Sequence, residues 1–159
     1  MAKPQAQISD EQVPDRHGRH KLDELQPARF ARHLMLFRPS EAMVTEMMAR
    51  ARVSIPNMAV TEDVLRVLRF NPECMFAVAR KSKFKPEAPS GEGFIAILPL
   101  TELGLQLLAL DALNTASPDV KFIAKPGERP AGIYMWAVFA PGPLAGGMAL
   151  FMERIDTLQ

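Results

Sequence analysis

Four side chains in this sequence could move a proton: His33 as a base, Glu102 and Asp111 as carboxylates, and Tyr134 as an acid. Acid–base catalysis needs such groups within hydrogen-bond reach of the reacting atom. These four are spread over about a hundred residues, so only a fold could gather them. Each also has a structural reading. His33 suits a strand edge, Glu102 the first turn of a helix, Asp111 a satisfied polar site on that helix, and Tyr134 a core position with a bonded hydroxyl. Functionally perturbed groups are the minority case, so the structural reading is the starting expectation for each one alone. Cys74, in NPECMFAVAR, reads as a buried thiol rather than a nucleophile. His17 and His20, in DRHGRH, are spaced to touch one metal ion, but no cysteine or further ligand cluster accompanies them. They read as part of a solvated tail, and no metal site is expected.

A second kind of chemistry, ligand holding, is suggested further on. Between Arg129 and Glu153 the run PAGIYMWAVFAPGPLAGGMALFM carries no charged residue. Its length suits a bilayer span, yet Pro141, Gly142 and Pro143 sit at its centre and would break a spanning helix. The run therefore reads as two buried elements and a turn. Ile133–Phe139 has the aromatic and β-branched content of a central strand. Met148 to Leu158, with apolar residues at 148, 150, 151, 155 and 158, reads as a helix. A strand, a Pro/Gly loop and a helix N-terminus form a unit that can hold an anionic or acyl-carrying ligand. Backbone N–H groups of Ala140–Gly147 and an apolar wall of Met135, Phe139, Leu144 and Phe151 are what that unit offers such a ligand.

The elements that must position these groups follow from pattern. Ser40 caps a helix to about Arg52 with Met43, Val44, Met47, Met48 and Ala51 on one face. Thr61 starts a second helix, TEDVLRVLRF, which Asn71-Pro72 ends. Met75–Ala79 and Phe94–Leu98 form an antiparallel hairpin around the polar tip KSKFKPEAPSGEG, whose lysines read as a solvated loop. Thr101 caps TELGLQLLALDALN, apolar enough to be buried or packed on a partner. Val120–Ala124 is another strand candidate. The class this predicts is α+β.

The bulk numbers bound the rest. The chain has 159 residues, 48% hydrophobic, and a formal net charge of +1. That suits one domain with a real core and argues against nucleic acid as a partner, since phosphate binding needs a clustered basic surface. One cysteine fits a reducing compartment. The polar N-terminus has no apolar segment of a secretory signal, so a cytoplasmic location is expected. Residues 1–25 read as a flexible arm and residues 26–159 as a single domain.

The order helix, helix, strand, strand, strand, loop, helix resembles the first part of a GNAT-type N-acyltransferase. Leu144-Ala145-Gly146-Gly147-Met148-Ala149 keeps the glycine and closing alanine of that family's loop pattern, with Leu144 where Gln or Arg belongs. Within that fold the chain is most similar to the RTX-toxin-activating lysine acyltransferases. Trp136-Ala137-Val138-Phe139-Ala140-Pro141-Gly142, then Ala149-Leu150-Phe151-Met152-Glu153-Arg154, resembles their strand, loop and helix. GFIAILPLTELGLQLLALDAL resembles their hairpin strand and following helix, with Asp111 at the place of an aspartate near the helix end.

The resemblance spans roughly residues 34–154 and implies a GNAT-like, mixed but mostly antiparallel sheet flanked by helices. It implies fatty-acyl transfer from an acyl carrier protein or acyl-CoA, as co-substrate rather than cofactor, to a lysine amine of a protein substrate. The acyl donor would lie on Phe139, Ala140, Pro141, Gly142, Leu144, Gly146 and Gly147, with His33, Tyr134 and Asp111 as the available catalytic candidates. The family's histidine and aspartate positions hold Met43 and Ala137, which can neither take nor orient a proton. The alternative expectation is therefore a catalytically inactive subunit on the same fold, acting through protein contacts. Because the chain ends soon after the loop helix, the resemblance also implies either that a second copy (a homodimer) or another chain completes the sheet, or that this sequence is a divergent or shortened member of the fold.

Overall fold

The computed structural model describes residues 31–156. The N-terminal arm with His17 and His20, and the helix end expected at Leu158, lie outside the described residues.

Ser40 takes the N-cap of α1 (Glu41–Ala51) because its hydroxyl accepts the N–H of Met43 at 3.3 Å. Met43, Val44, Met47, Met48 and Ala51 repeat at helical spacing and are all buried. Burying each large side chain in that stripe contributes about 1.5–3 kcal/mol. Helix α2 (Thr61–Phe70) has no side-chain cap, and Glu62 and Asp63 in its first turn complement the dipole instead. It stops at Asn71, whose Oδ1 accepts the N–H of Glu73 at 2.9 Å and whose Nδ2 donates to Ala124 O at 2.8 Å.

The four described strands form one sheet in the order β1-β2-β3-β4: β1 (Leu34–Phe37), β2 (Met75–Arg80), β3 (Gly93–Leu100) and β4 (Gly132–Phe139). Every neighbouring pair is antiparallel. The α+β class is as expected, and the sheet is antiparallel throughout the described residues. β1 was not anticipated, since LMLF is too short to show a period. β2 and β3 are buried on both faces, which is why MFAVA and FIAIL read as unbroken apolar runs. Phe94 and Ala96 face α1 and α2, while Ile95 and Ile97 face α4 (Gly147–Ile155), with Leu144 and Phe151.

Two expectations fail here. Val120–Ala124 is a 3-10 turn (Val120–Phe122) and a single bridge from Ile123 to Leu100, because Asp119 accepts the N–H of Lys121 and folds the chain back. β4 is an edge strand and not a central one, for no described strand lies beyond it. Its Met135 and Val138 are correspondingly 39% and 38% exposed.

Helix α3 (Glu102–Ala109) is shorter and wetter than its composition suggests. Thr101 caps it through the N–H of Gly104, but Leu103 and Leu110 stand exposed. Its end is set by Asp111, a non-glycine residue at φ 54°. Asp111 N–H bonds Leu108 O at 3.0 Å and Ala112 N–H bonds Leu107 O at 2.8 Å, the paired bonds of a left-handed helix stop.

Candidate functional site

β4 carries the feature that builds a site. Ala96 pairs with Ala137, yet the next residue of β3, Ile97, pairs with Met135. Trp136 is therefore an extra residue, a β-bulge. The bulge resets the alternation of side chains. Tyr134 and Trp136 pack towards Leu98 before it, and Ala137 and Phe139 pack towards Phe94 and Ala96 after it. Two consecutive residues, Trp136 and Ala137, thus serve the same face.

Beside them a cavity of about 330 Å³ opens between β4, the end of α1, the loop into α2 and the segment after α3. Its floor is apolar and buried: Met48, Val64, Met75, Phe94 and Ala96. Its polar side chains are those of Asn57, Thr115 and Tyr134, and no carboxylate, histidine or cation lines it. Trp136 Nε1 donates to Thr115 O at 2.7 Å, tying the bulge to the strap 112–119. Arg66 holds the same strap through Ser117 Oγ at 3.3 Å and Pro118 O at 3.1 Å.

The four proton-moving candidates do not converge. His33 is exposed, with its Nε2 accepting from Arg32 Nε at 3.2 Å and its carbonyl accepting Lys81 N–H at 2.8 Å. It precedes β1, whereas Tyr134 lies on β4, at the other edge of the sheet. Three strand spacings of about 4.8 Å each separate those edges, so the pair cannot share a reacting atom. Asp111 is exposed and occupied as a helix stop, and exposed Glu102 accepts from Gln106 at 3.4 Å. Of the four, only Tyr134 lines the cavity. Met43, at the family's histidine position, is core, and Ala137, at its aspartate position, lines the cavity. Cys74 is buried, and desolvation, then the charge of Glu73, pushes its thiol up to about 12, so it is no nucleophile at neutral pH.

The donor-binding segment divides. Pro141, Gly142 and Pro143 are exposed, with Gly142 at φ 58°. The segment Gly142–Gly146 is a 3-10 turn that runs straight into α4. Leu144 is buried, and its N–H bonds Pro141 O at 3.3 Å, while Gly147 N–H bonds within the turn. Gly147 faces the core: a Cβ there would lie 2.8 Å from Val78 Cγ1. Of the named segment, Phe139 to Pro143 lie at the open end of β4, whereas Leu144 and Gly147 are packing residues. The expected apolar wall also separates. Phe151 packs on Phe76 with ring centroids 5.8 Å apart, Leu144 joins it on the α4 face, and Phe139 packs on Phe94 at 5.9 Å on the other face. Sequence reasoning missed the cavity itself, because the bulge at Trp136 leaves no mark on composition.

No family model matches this chain, and no curated protein or solved structure matches it either. Among the described residues no helix is long and apolar enough to cross a membrane. No group of three or more His, Cys, Asp or Glu among them could hold a metal ion.

Proposed function

We propose that this chain binds an acyl thioester along the β4 edge and passes the acyl group to a lysine-type amine, as the toxin-activating lysine acyltransferases that it resembles do. The observation that carries the reading is a strand at the edge of the sheet among the described residues, bulged at Trp136 beside a cavity, that runs into an exposed Pro/Gly turn. The outward N–H groups of β4 supply donors for a thioester carbonyl, and a bulge adds to them by breaking the ladder. From Trp136 to Pro141 the extended chain covers roughly 16 Å at about 3.3 Å per residue. A flexible carrier arm would bridge that distance between its anionic end at the turn and its thioester at the bulge. In the transfer the amine nitrogen attacks the thioester carbon, the C–S bond breaks, and a proton passes from the new ammonium to the leaving thiolate. Tyr134, lining the cavity, is the side chain available to relay that proton.

A second reading is favoured by the cavity lining. No stronger base than Tyr134 reaches it, and alanine stands at 137. An acyl-binding subunit without turnover, acting through protein contacts, fits that lining equally well.

Calorimetric titration with an acyl-CoA and an acylated carrier protein, followed by an amide-formation assay on a lysine peptide, separates the readings. Binding with turnover that falls in Tyr134→Phe supports the enzyme. Binding without turnover supports the subunit. Absence of binding by either donor rejects both.

A further inference from the structure

The cavity at the bulge is selective in what it can take. Every lining side chain is uncharged at neutral pH, and the polar ones are Asn57, Thr115 and Tyr134. An ammonium or carboxylate pressed onto the apolar floor would lose part of its hydration there with no counter-charge. A charged head group is therefore better placed at the solvent-facing side, beside Tyr134, than on the floor. An apolar chain is accepted, because Met48, Val64, Met75, Phe94 and Ala96 line the floor with non-polar surface.

The size is bounded as well. The cavity measures about 330 Å³. At roughly 30 Å³ for each water-sized group, that is space for on the order of ten methylenes. The floor residues are each under 4% exposed, so the apolar contact ends there and a longer chain would extend through the open side into solvent.

We propose that this cavity is the seat of the acyl tail of the donor, and that it selects chains of about eight to ten carbons. The proposal rests on the thioester-binding reading above, and adds to it the class of acyl group and the residues that measure it. Ala137 beside the bulge and Ala116 on the strap are small side chains in the lining outside the floor. A leucine at either position would occupy about three carbons of the space.

Trp136 makes the test direct, because the chain contains a single tryptophan and its indole lines the cavity. The full chain is titrated with acetyl-, butanoyl-, octanoyl-, decanoyl- and palmitoyl-CoA, and separately with 1-decanol, with Trp136 emission and calorimetry as readouts. Affinity should rise by about fourfold per methylene up to eight to ten carbons and then level or fall. Ala137→Leu should move the optimum shorter by about three carbons. Ala116→Leu, at an exposed position on the strap, should do the same and guards against a folding defect in the first variant. Acetyl-CoA binding as tightly as decanoyl-CoA, with Trp136 emission unmoved, would overturn this inference and leave the thioester reading standing. Binding of 1-decanol with no gain from the CoA moiety would keep the cavity as an alkyl site and sink the thioester reading. No response to any probe would remove both.

Discussion

Trp136 and Thr115, 21 residues apart, are joined by an indole N–H that donates to a backbone carbonyl at 2.7 Å. That bond fastens the bulged strand to the strap closing one side of the cavity. Trp136→Phe keeps most of the apolar area and leaves the carbonyl without its partner. The expected loss is about 1–2 kcal/mol in urea unfolding followed by circular dichroism. An unchanged midpoint would mean that water replaces the indole without cost.

Asp111 is expected to matter for stability alone. At φ 54° a side chain is strained, and glycine relieves the strain at the cost of a more flexible unfolded chain. Asp111→Gly should be neutral or stabilising by up to about 1 kcal/mol, and Asp111→Val destabilising by about 1–2 kcal/mol. A loss of acyl-donor binding in Asp111→Gly would restore this residue as a functional candidate.

Gly147 and Gly142 should respond for opposite reasons. Gly147 has an ordinary helical φ of −60°, but a side chain there meets Val78. Gly147→Val should therefore cost about 1–3 kcal/mol through overpacking. Gly142 faces open space at φ 58°, so Gly142→Ala strains only the backbone, by about 1 kcal/mol. Thermal melts of the two variants compare them. If Gly147→Val melts with the wild type, the contact with Val78 is not tight in solution.

Asn71, 1% exposed, is the buried polar side chain among the described residues; its Nδ2 joins the end of α2 to Ala124 O and its Oδ1 accepts the N–H of Glu73. Asn71→Leu would bury an unpaired Ala124 carbonyl and an uncapped Glu73 N–H. The expected cost is about 2–3 kcal/mol in urea unfolding, the largest of the polar substitutions considered. A loss below 0.5 kcal/mol, taken as roughly the floor for a single net hydrogen bond, would contradict the pinning role.

Acid should loosen the hairpin tip through Glu92. The Arg80 guanidinium, and then the Arg80 backbone N–H at 2.7 Å, hold the Glu92 carboxyl below the usual glutamate range despite partial burial. A group with a depressed folded pKa contributes stability above its unfolded value, about 4.3. That stability is lost as pH falls through the lower folded value. Glu92→Gln should be less stable than wild type at neutral pH, and the two should converge below about pH 4. Parallel stability curves down to pH 3 would show that the pair adds nothing.

Sequence alone determined what depends on neighbours along the chain. Ser40 and Thr101 announced two helix starts because a hydroxyl before an apolar repeat can bond the free N–H groups of the first turn. The apolar stripe of α1 and the unbroken runs of β2 and β3 fixed which faces would be buried. Pro141 to Pro143 made one long apolar run into a strand, a turn and a helix, because proline cannot continue a helix interior. Tertiary structure decided what depends on register. A single extra residue at Trp136 turned its neighbours towards a cavity, and neither its type nor its spacing distinguishes it from an ordinary strand residue. The apolar pattern of β4 was the same whether the strand lay inside the sheet or at its edge, since that depends on which segments pair beside it. His33 and Tyr134 were equal candidates in the sequence, and the strand order alone set them on opposite edges.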